Sequence, residues 1–260
     1  MHRTVRRIII AVVVTPLACA ASAANAQSLV DPRLRVQTWV KGLDGPTGLA
    51  FLGDSGDALA LEKNTGRVKL LRNRAVVSTV LDLPVANASE QGLLGVALSP
   101  QFATDKYVYL YYTASTVDGG QAYDNRVDRY VWNGTSLALD RHIVRMPSLP
   151  GPNHNGGKIT FGPDNKLYVV TGDVNRNGRT ANYESSREIT RSAAVLRLNP
   201  NGSSVSSNPF YSTAHIGTTS APLNDIYAYG VRIASAWTSI PSAGCCGTVR
   251  TGRRATTRST

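Results

Sequence analysis

His154 stands near the head, and Asp173 at the foot, of a stretch from Pro152 to Asp173 whose pattern is loop, strand, tight turn and strand. An imidazole on a loop at a strand end is aimed by the sheet beneath it, and its ordinary pKa lets it take a proton near neutrality. A carboxylate in reach of that ring would fix its tautomer and steady the imidazolium formed. Taken singly, His154 also reads as a surface residue beside the Gly156-Gly157 turn, and Asp173, after Thr171-Gly172, as a turn residue closing a strand.

The elements that must position such a pair are β-strands. Between Gln27 and Arg232 the chain is a series of short β-like runs separated by Gly, Pro, Asn and Asp, with hardly any helical period, so the body is expected to be all-β. Asp57–Glu62, Gly66–Leu71, Tyr107–Tyr112 and Lys166–Val170 are the clearest runs, each bracketed by turn residues. A loose repeat joins them: a glycine, a short apolar strand, a turn and a second strand. Gly48–Phe51 leads to Ala58–Leu61, Gly95–Leu98 to Tyr107–Leu110, and Gly157–Phe161 to Leu167–Val170. That recurrence fits propeller blades with their loops better than a Greek-key sandwich.

Composition narrows the setting. Arg3, Arg6 and Arg7, an apolar run from Ile8 to Leu17, and Ala24-Asn25-Ala26 read as a secretory signal peptide over residues 1–26. No later run is long enough for a membrane span. Export makes the expected location periplasmic or secreted. The net charge of +11 suggests nucleic acid, but Arg3, Arg6 and Arg7 lie in the leader and Arg250, Arg253, Arg254 and Arg258 near the chain end. What remains on the body is an ordinary surface charge, and no nucleic-acid partner is expected. Cys19 lies in the leader, and the adjacent Cys245-Cys246 offers neither a disulfide framework nor metal-ligand spacing.

Five segments in order carry a family resemblance: Leu43-Asp44-Gly45-Pro46-Thr47-Gly48-Leu49-Ala50-Phe51, then Glu90 to Phe102, the His154 segment, Val195 to Gly202, and Ile226 to Arg232. From about Leu43 to Arg232 the chain resembles the soluble sugar dehydrogenases dependent on pyrroloquinoline quinone (PQQ), the glucose/sorbosone dehydrogenase family. The resemblance implies a six-bladed β-propeller with the quinone and a calcium ion on its central face, oxidising an aldose at the anomeric carbon to the lactone and passing electrons to an acceptor of unspecified class. His154 matches the family's catalytic base and Asp173 the carboxylate that orients it. Arg232 matches a cofactor-contacting arginine, whose planar fork suits a carboxylate-bearing quinone. Glu90 sits where the family turns a polar side chain towards the site. Asn153 replaces an aspartate, and Gly178 a glutamine, of the soluble glucose dehydrogenases, which favours the broader aldose branch over glucose itself. The alternative class is a secreted, non-enzymatic β-propeller that binds a protein or glycan.

After Arg232 the pattern changes. The family continues with a strand resembling Phe-Gly-x-x-Phe-Asp-Pro and a Trp-x-x-Glu-x-Gly-Pro element, whereas here Ile233-Ala234-Ser235-Ala236-Trp237 leads into an acid-free, Arg-, Ser- and Thr-rich tail. Pairing the last base of each codon with the first two of the next lets Ala234–Pro241 read Phe-Gly-Met-Asp-Phe-Asp-Pro. The same frame through Gly244–Arg253 permits Leu-Leu-Trp-Asp-Ser-Glu-Asn-Gly-Pro. The expectation is therefore a frameshift near codon 233, with 27–232 a partial propeller of roughly four blades and 233–260 an out-of-frame, disordered tail. Such a fragment loses the calcium loop, so no metal ligand is assigned, and is expected to be inactive alone.

Overall fold

A computed structural model describes residues 33, 35–176, 190–212, 221–232, 236–239 and 246–249. Compactness separates Met1–Thr38 from Trp39–Thr260. The signal-peptide expectation for 1–26 lies outside the described residues, and everything below concerns the second unit.

Three antiparallel sheets of four strands follow one another along the chain, each built in sequence order. Sheet 1 comprises β1 (Pro46–Phe51), β2 (Ala58–Glu62), β3 (Arg67–Arg72) and β4 (Ala75–Asp82). Sheet 2 comprises β5 (Leu93–Leu98), β6 (Tyr107–Thr113), β7 (Asn125–Trp132) and β8 (Leu137–Met146). Sheet 3 comprises β9 (Lys158–Phe161), β10 (Leu167–Thr171), β11 (Ala194–Leu198) and β12 (Ile226–Tyr229). The three sequence repeats are the first hairpins of the three sheets, β1–β2, β5–β6 and β9–β10. The all-β expectation holds, apart from two single-turn helices, Phe102–Asp105 and Ala221–Asp225.

The length allowed roughly four such sheets, while the described residues complete three. Sheet 3 uses more chain than the others because long connections follow β10 and β11. Within the stretch 233–260, read above as a disordered tail, β13 (Ala236–Ser239) and β14 (Cys246–Val249) pair antiparallel, Trp237 opposite Thr248. Their aromatic and β-branched residues favour strands, which the tail's Arg and Ser content obscures.

Alternation along β6 explains how the sheets stack. Val108, Leu110 and Tyr112 turn to one side and pack with Leu59, Leu61, Val68 and Leu70 of sheet 1. Tyr109 and Tyr111 turn to the other and pack with Leu167, Val169 and Leu196 of sheet 3. A strand buried on both faces reads as a continuous apolar run, as Tyr107-Val108-Tyr109-Leu110-Tyr111-Tyr112 does. Each fully buried Leu or Val contributes about 1.5–3 kcal/mol. The first strands are neighbours: a Cβ on Gly95 of β5 would lie 2.0 Å from the Gly157 carbonyl oxygen at the start of β9. Polar ties reinforce the sheet 2–sheet 3 junction. Arg129 pairs with Asp140 at 2.6 Å, lies 3.9 Å from the Tyr107 ring centre, and donates to the Pro200 carbonyl, which also accepts from the Tyr109 hydroxyl.

The β9–β10 turn is held by Asp164. Its Oδ2 lies 2.8 Å from both Nε and Nη2 of Arg197 and accepts from the Tyr168 hydroxyl, while Oδ1 accepts from the Lys166 N–H. Burial works against the ionised carboxyl, but these donors outweigh it and hold Asp164 below its ordinary range. Burial, with that carboxylate alongside, pushes Tyr168 up to about 12. A depressed carboxyl pKa contributes stability that is fully present above the unfolded-state value and is lost as pH falls through the folded-state value. Asp164→Asn is therefore expected to cost about 0.5–1 kcal/mol at neutral pH and nothing in strong acid. Urea melts of both proteins across the acid range check this, and a constant difference at every pH would rule it out.

Candidate active site

The two residues that the sequence marks for proton chemistry meet. His154 Nδ1 lies 2.7 Å from Asp173 Oδ1, the carboxylate wholly buried and the imidazole side chain 15% exposed. His154 belongs to the connection between β8 and β9, and Asp173 follows β10 by two residues. Because β9 and β10 pair with Lys158 opposite Val170, the two segments emerge side by side. Main-chain bonds lock them together: Val174 N–H donates to the His154 carbonyl at 3.3 Å, and Gly157 N–H to that of Val170 at 3.0 Å.

Glu90 arrives from the loop before β5, and its Oε2 accepts from the His154 N–H at 2.6 Å. It thus holds the backbone of the candidate base. Ser89 Oγ donates to Asn153 Oδ1, and Asn153 N–H donates to Asn175 Oδ1 at 2.6 Å, so the position that departs from the family's aspartate is tied on both sides. Lys63, from the β2–β3 turn, reaches over the same loop: its ammonium donates to the Asn87 carbonyl at 3.5 Å and to Asn64 Oδ1 at 3.0 Å. Burial lowers the Lys63 pKa, and the charge of Glu90 resists that shift. Arg232 joins through its main chain, its carbonyl accepting from the Asp173 N–H at 3.0 Å, while its side chain is exposed. Gly178 lies outside the described residues.

Backbone strain concentrates at this junction. His154, Ser89, Val174 and Asn175 all have positive φ, at 60°, 50°, 44° and 68°. For a β-branched residue such as Val174 that conformation is a genuine outlier, and each such residue costs about 1–3 kcal/mol unless its surroundings impose it. The four residues singled out in the sequence come together here, Arg232 by its main chain only, but the supports beneath them were not foreseen. Tyr111, Thr113 and Asn125 are fully buried and joined by hydrogen bonds to one another or to Asn155, itself buried within the His154 loop. Only polar residues at the ends of otherwise apolar runs hinted at them. A cavity of about 250 Å³ opens between β1, β5 and β9, lined by Gly48, Leu49, Gly95, Val96, Lys158, Ile159 and Thr160. Neither His154 nor Asp173 is among its lining residues.

With an imidazole on a buried carboxylate established, the comparisons with known proteins place the chain. The sequence profile of Glucose / Sorbosone dehydrogenase matches residues 43–254. The chain belongs to the glucose/sorbosone dehydrogenase family. The match continues past Arg232, across most of the stretch set apart by composition. An oxidoreductase of Thermus thermophilus assigned as a glucose dehydrogenase is 36% identical, with 82% of this chain and 59% of that one covered and a TM-score of 0.69. The PQQ-bound aldose sugar dehydrogenase of Streptomyces coelicolor is 31% identical, covering 76% and 54%, with a TM-score of 0.60. Quinoprotein glucose dehydrogenase B of Acinetobacter calcoaceticus is 27% identical over 203 residues, 69% of this chain and 42% of that protein. The chain spans about half the length of the curated relatives it matches. Its three four-stranded sheets are consistent with a propeller-type fold of this family.

Gly172 is the tightest point of the site. A Cβ there would fall 2.0 Å from the His154 carbonyl oxygen and 2.6 Å from that of Arg232. Gly172→Ala is expected to force the two loops apart, costing about 1–3 kcal/mol. Thermal unfolding checks it, and a variant as stable as the parent would show that the loops reseat freely.

Proposed function

We propose that this chain carries the proton-transfer half of a PQQ-dependent aldose dehydrogenase, which oxidises a sugar at its anomeric carbon to the lactone on a six-bladed propeller. The observation that supports this most strongly is the 2.7 Å contact between His154 Nδ1 and the buried Asp173, in a family member whose Streptomyces coelicolor relative was solved with PQQ bound.

An Nδ1–H donated to Asp173 leaves Nε2 with its lone pair free. That nitrogen takes the proton of the anomeric hydroxyl, and the developing imidazolium is steadied by the carboxylate behind it. Glu90 keeps the His154 backbone in its left-handed conformation, so the ring need not search for the substrate. PQQ, when bound, supplies the two-electron oxidant that takes the hydride from the same carbon. The residues present suit a ligand bearing carboxylates: Arg232, whose carbonyl meets Asp173, presents an exposed guanidinium that would hold such a group. Among the described residues no three His, Cys, Asp or Glu side chains converge, and no step is assigned to calcium.

The leader-like residues 1–26 support a periplasmic or secreted protein, and among the described residues no helix is long and apolar enough to cross a membrane. The order of family segments up to Arg232, followed by family-like words in a second frame, supports a frameshift near codon 233. The profile match through residue 254 defines the alternative, diverged family sequence in the same frame. Sequencing the gene across codon 233 and beyond decides between them, an intact frame with no family sequence downstream being the result that rejects the shift.

The catalytic assignment is tested by dye reduction with several aldoses, PQQ and calcium, in the protein continued through the second frame. His154→Ala is expected to lower turnover by about two to four orders of magnitude and to leave PQQ binding, read by its absorbance, unchanged. Turnover near the parent level removes His154 from the role. Failure of the parent to bind PQQ or reduce dye favours a non-catalytic propeller that binds a protein or glycan.

A further inference from the structure

We propose that Asn125, on β7 and remote from the candidate site in sequence, is the positioning residue for His154. The proposal rests on the reading of His154 and Asp173 as the base and its orienting carboxylate. The loop carrying His154 leaves β8 at Pro147 and enters β9 at Lys158. One amide group closes it. Asn125 Nδ2 donates to the Pro147 carbonyl at the loop's start and to Asn155 Oδ1 near its end, each at 3.0 Å. The Thr113 hydroxyl, directly across the β6–β7 ladder, donates to Asn125 Oδ1 at 2.7 Å.

The direction of every bond in this group follows from two carbonyls that can only accept. Pro152 O takes Asn155 Nδ2 at 2.6 Å, which turns Asn155 Oδ1 towards Asn125. That oxygen and Pro147 O both face Asn125, so its NH₂ must point at the loop and its Oδ1 at Thr113. The Tyr111 hydroxyl donates to the Asn155 carbonyl at 2.6 Å, and burial pushes the Tyr111 pKa up, so it remains a donor. Tyr111, Thr113, Asn125 and Asn155 have no exposure to water, and removing a donor here leaves acceptors that no solvent can satisfy. The residue so fixed, Asn155, is the next after His154. The base is thereby clamped on both sides, its N–H by Glu90 and the following residue by Asn125 and Tyr111, which is what holds a non-glycine residue at φ 60°.

A residue needed only for core stability would be replaceable without moving the dyad. The experiment uses the full 260-residue chain and reads the downfield proton resonance of the Nδ1–H shared by His154 and Asp173, assigned by its loss in His154→Gln. Asn125→Asp keeps the shape but sets a carboxylate against two acceptors. It is expected to abolish the His154 resonance or speed its exchange with water about tenfold or more, with amide protection of β6 and β10 retained. Thr113→Val, which spares both donors to the loop, is expected to keep the resonance. If Asn125→Asp does not fold by circular dichroism, Asn155→Ala is read in the same way, since it frees only the far end of the loop. An unchanged His154 resonance in the folded variant overturns the proposal. So does loss of β6 and β10 protection in step with it, which marks a general core role. Absence of the resonance from the parent chain, with the amides of β6 and β10 protected, overturns the dyad reading on which the proposal stands.

Discussion

A carboxylate sealed from water survives only where donors surround it, and Asp173 is such a group. It takes the His154 ring nitrogen on its side chain, while its backbone N–H gives to Arg232 and its carbonyl receives the Arg176 N–H. Those partners come from the β8–β9 connection, the stretch after β12 and its own loop. The side-chain and main-chain bonds of this one residue therefore hold three pieces of chain at the same end of sheet 3. The candidate chemistry follows from the side-chain contact: an imidazole whose tautomer is dictated by its neighbour, which leaves its other nitrogen for a substrate.

Rigidity for this arrangement is supplied by sheet 2. Its strand β6 is buried on both faces, and its end nearest the site changes from apolar packing to hydroxyl and amide groups, Tyr111, Thr113 and, across the ladder, Asn125. The same strand that welds sheets 1 and 3 together through hydrophobic contacts thus delivers the polar supports of the His154 loop. Four residues of positive φ gather there because packing and hydrogen bonding offset their strain, a pattern that belongs to functional sites more than to ordinary turns.

Much of this was legible in the residues. The Gly-led repeats became the first hairpins of the sheets, because period-two alternation and turn residues are local properties. His154 and Asp173 were legible as a pair because one hairpin separates them, and a hairpin returns its ends to each other. Asn125 and Tyr111 were not, since their bonds to the His154 loop span 30 and 44 residues and depend on how sheet 2 lies against sheet 3. Arg232, singled out in the sequence for the fork of its side chain, meets Asp173 by its carbonyl, which any residue could provide. The described residues complete three sheets, and length alone gives no sharper count because connections such as those following β10 and β11 vary freely while strand length does not.

The bare backbone contact at Gly95 has a mechanical meaning. Glu90 precedes β5 and His154 precedes β9, so the gap between those two strands acts as the jaw of a caliper whose reading is the 2.6 Å bond between them. With the Gly157 carbonyl only 2.0 Å from where a methyl would sit, the jaw is already shut. Any larger residue at 95 would be a wedge, and the first dimension to open would be the one that seats the imidazole.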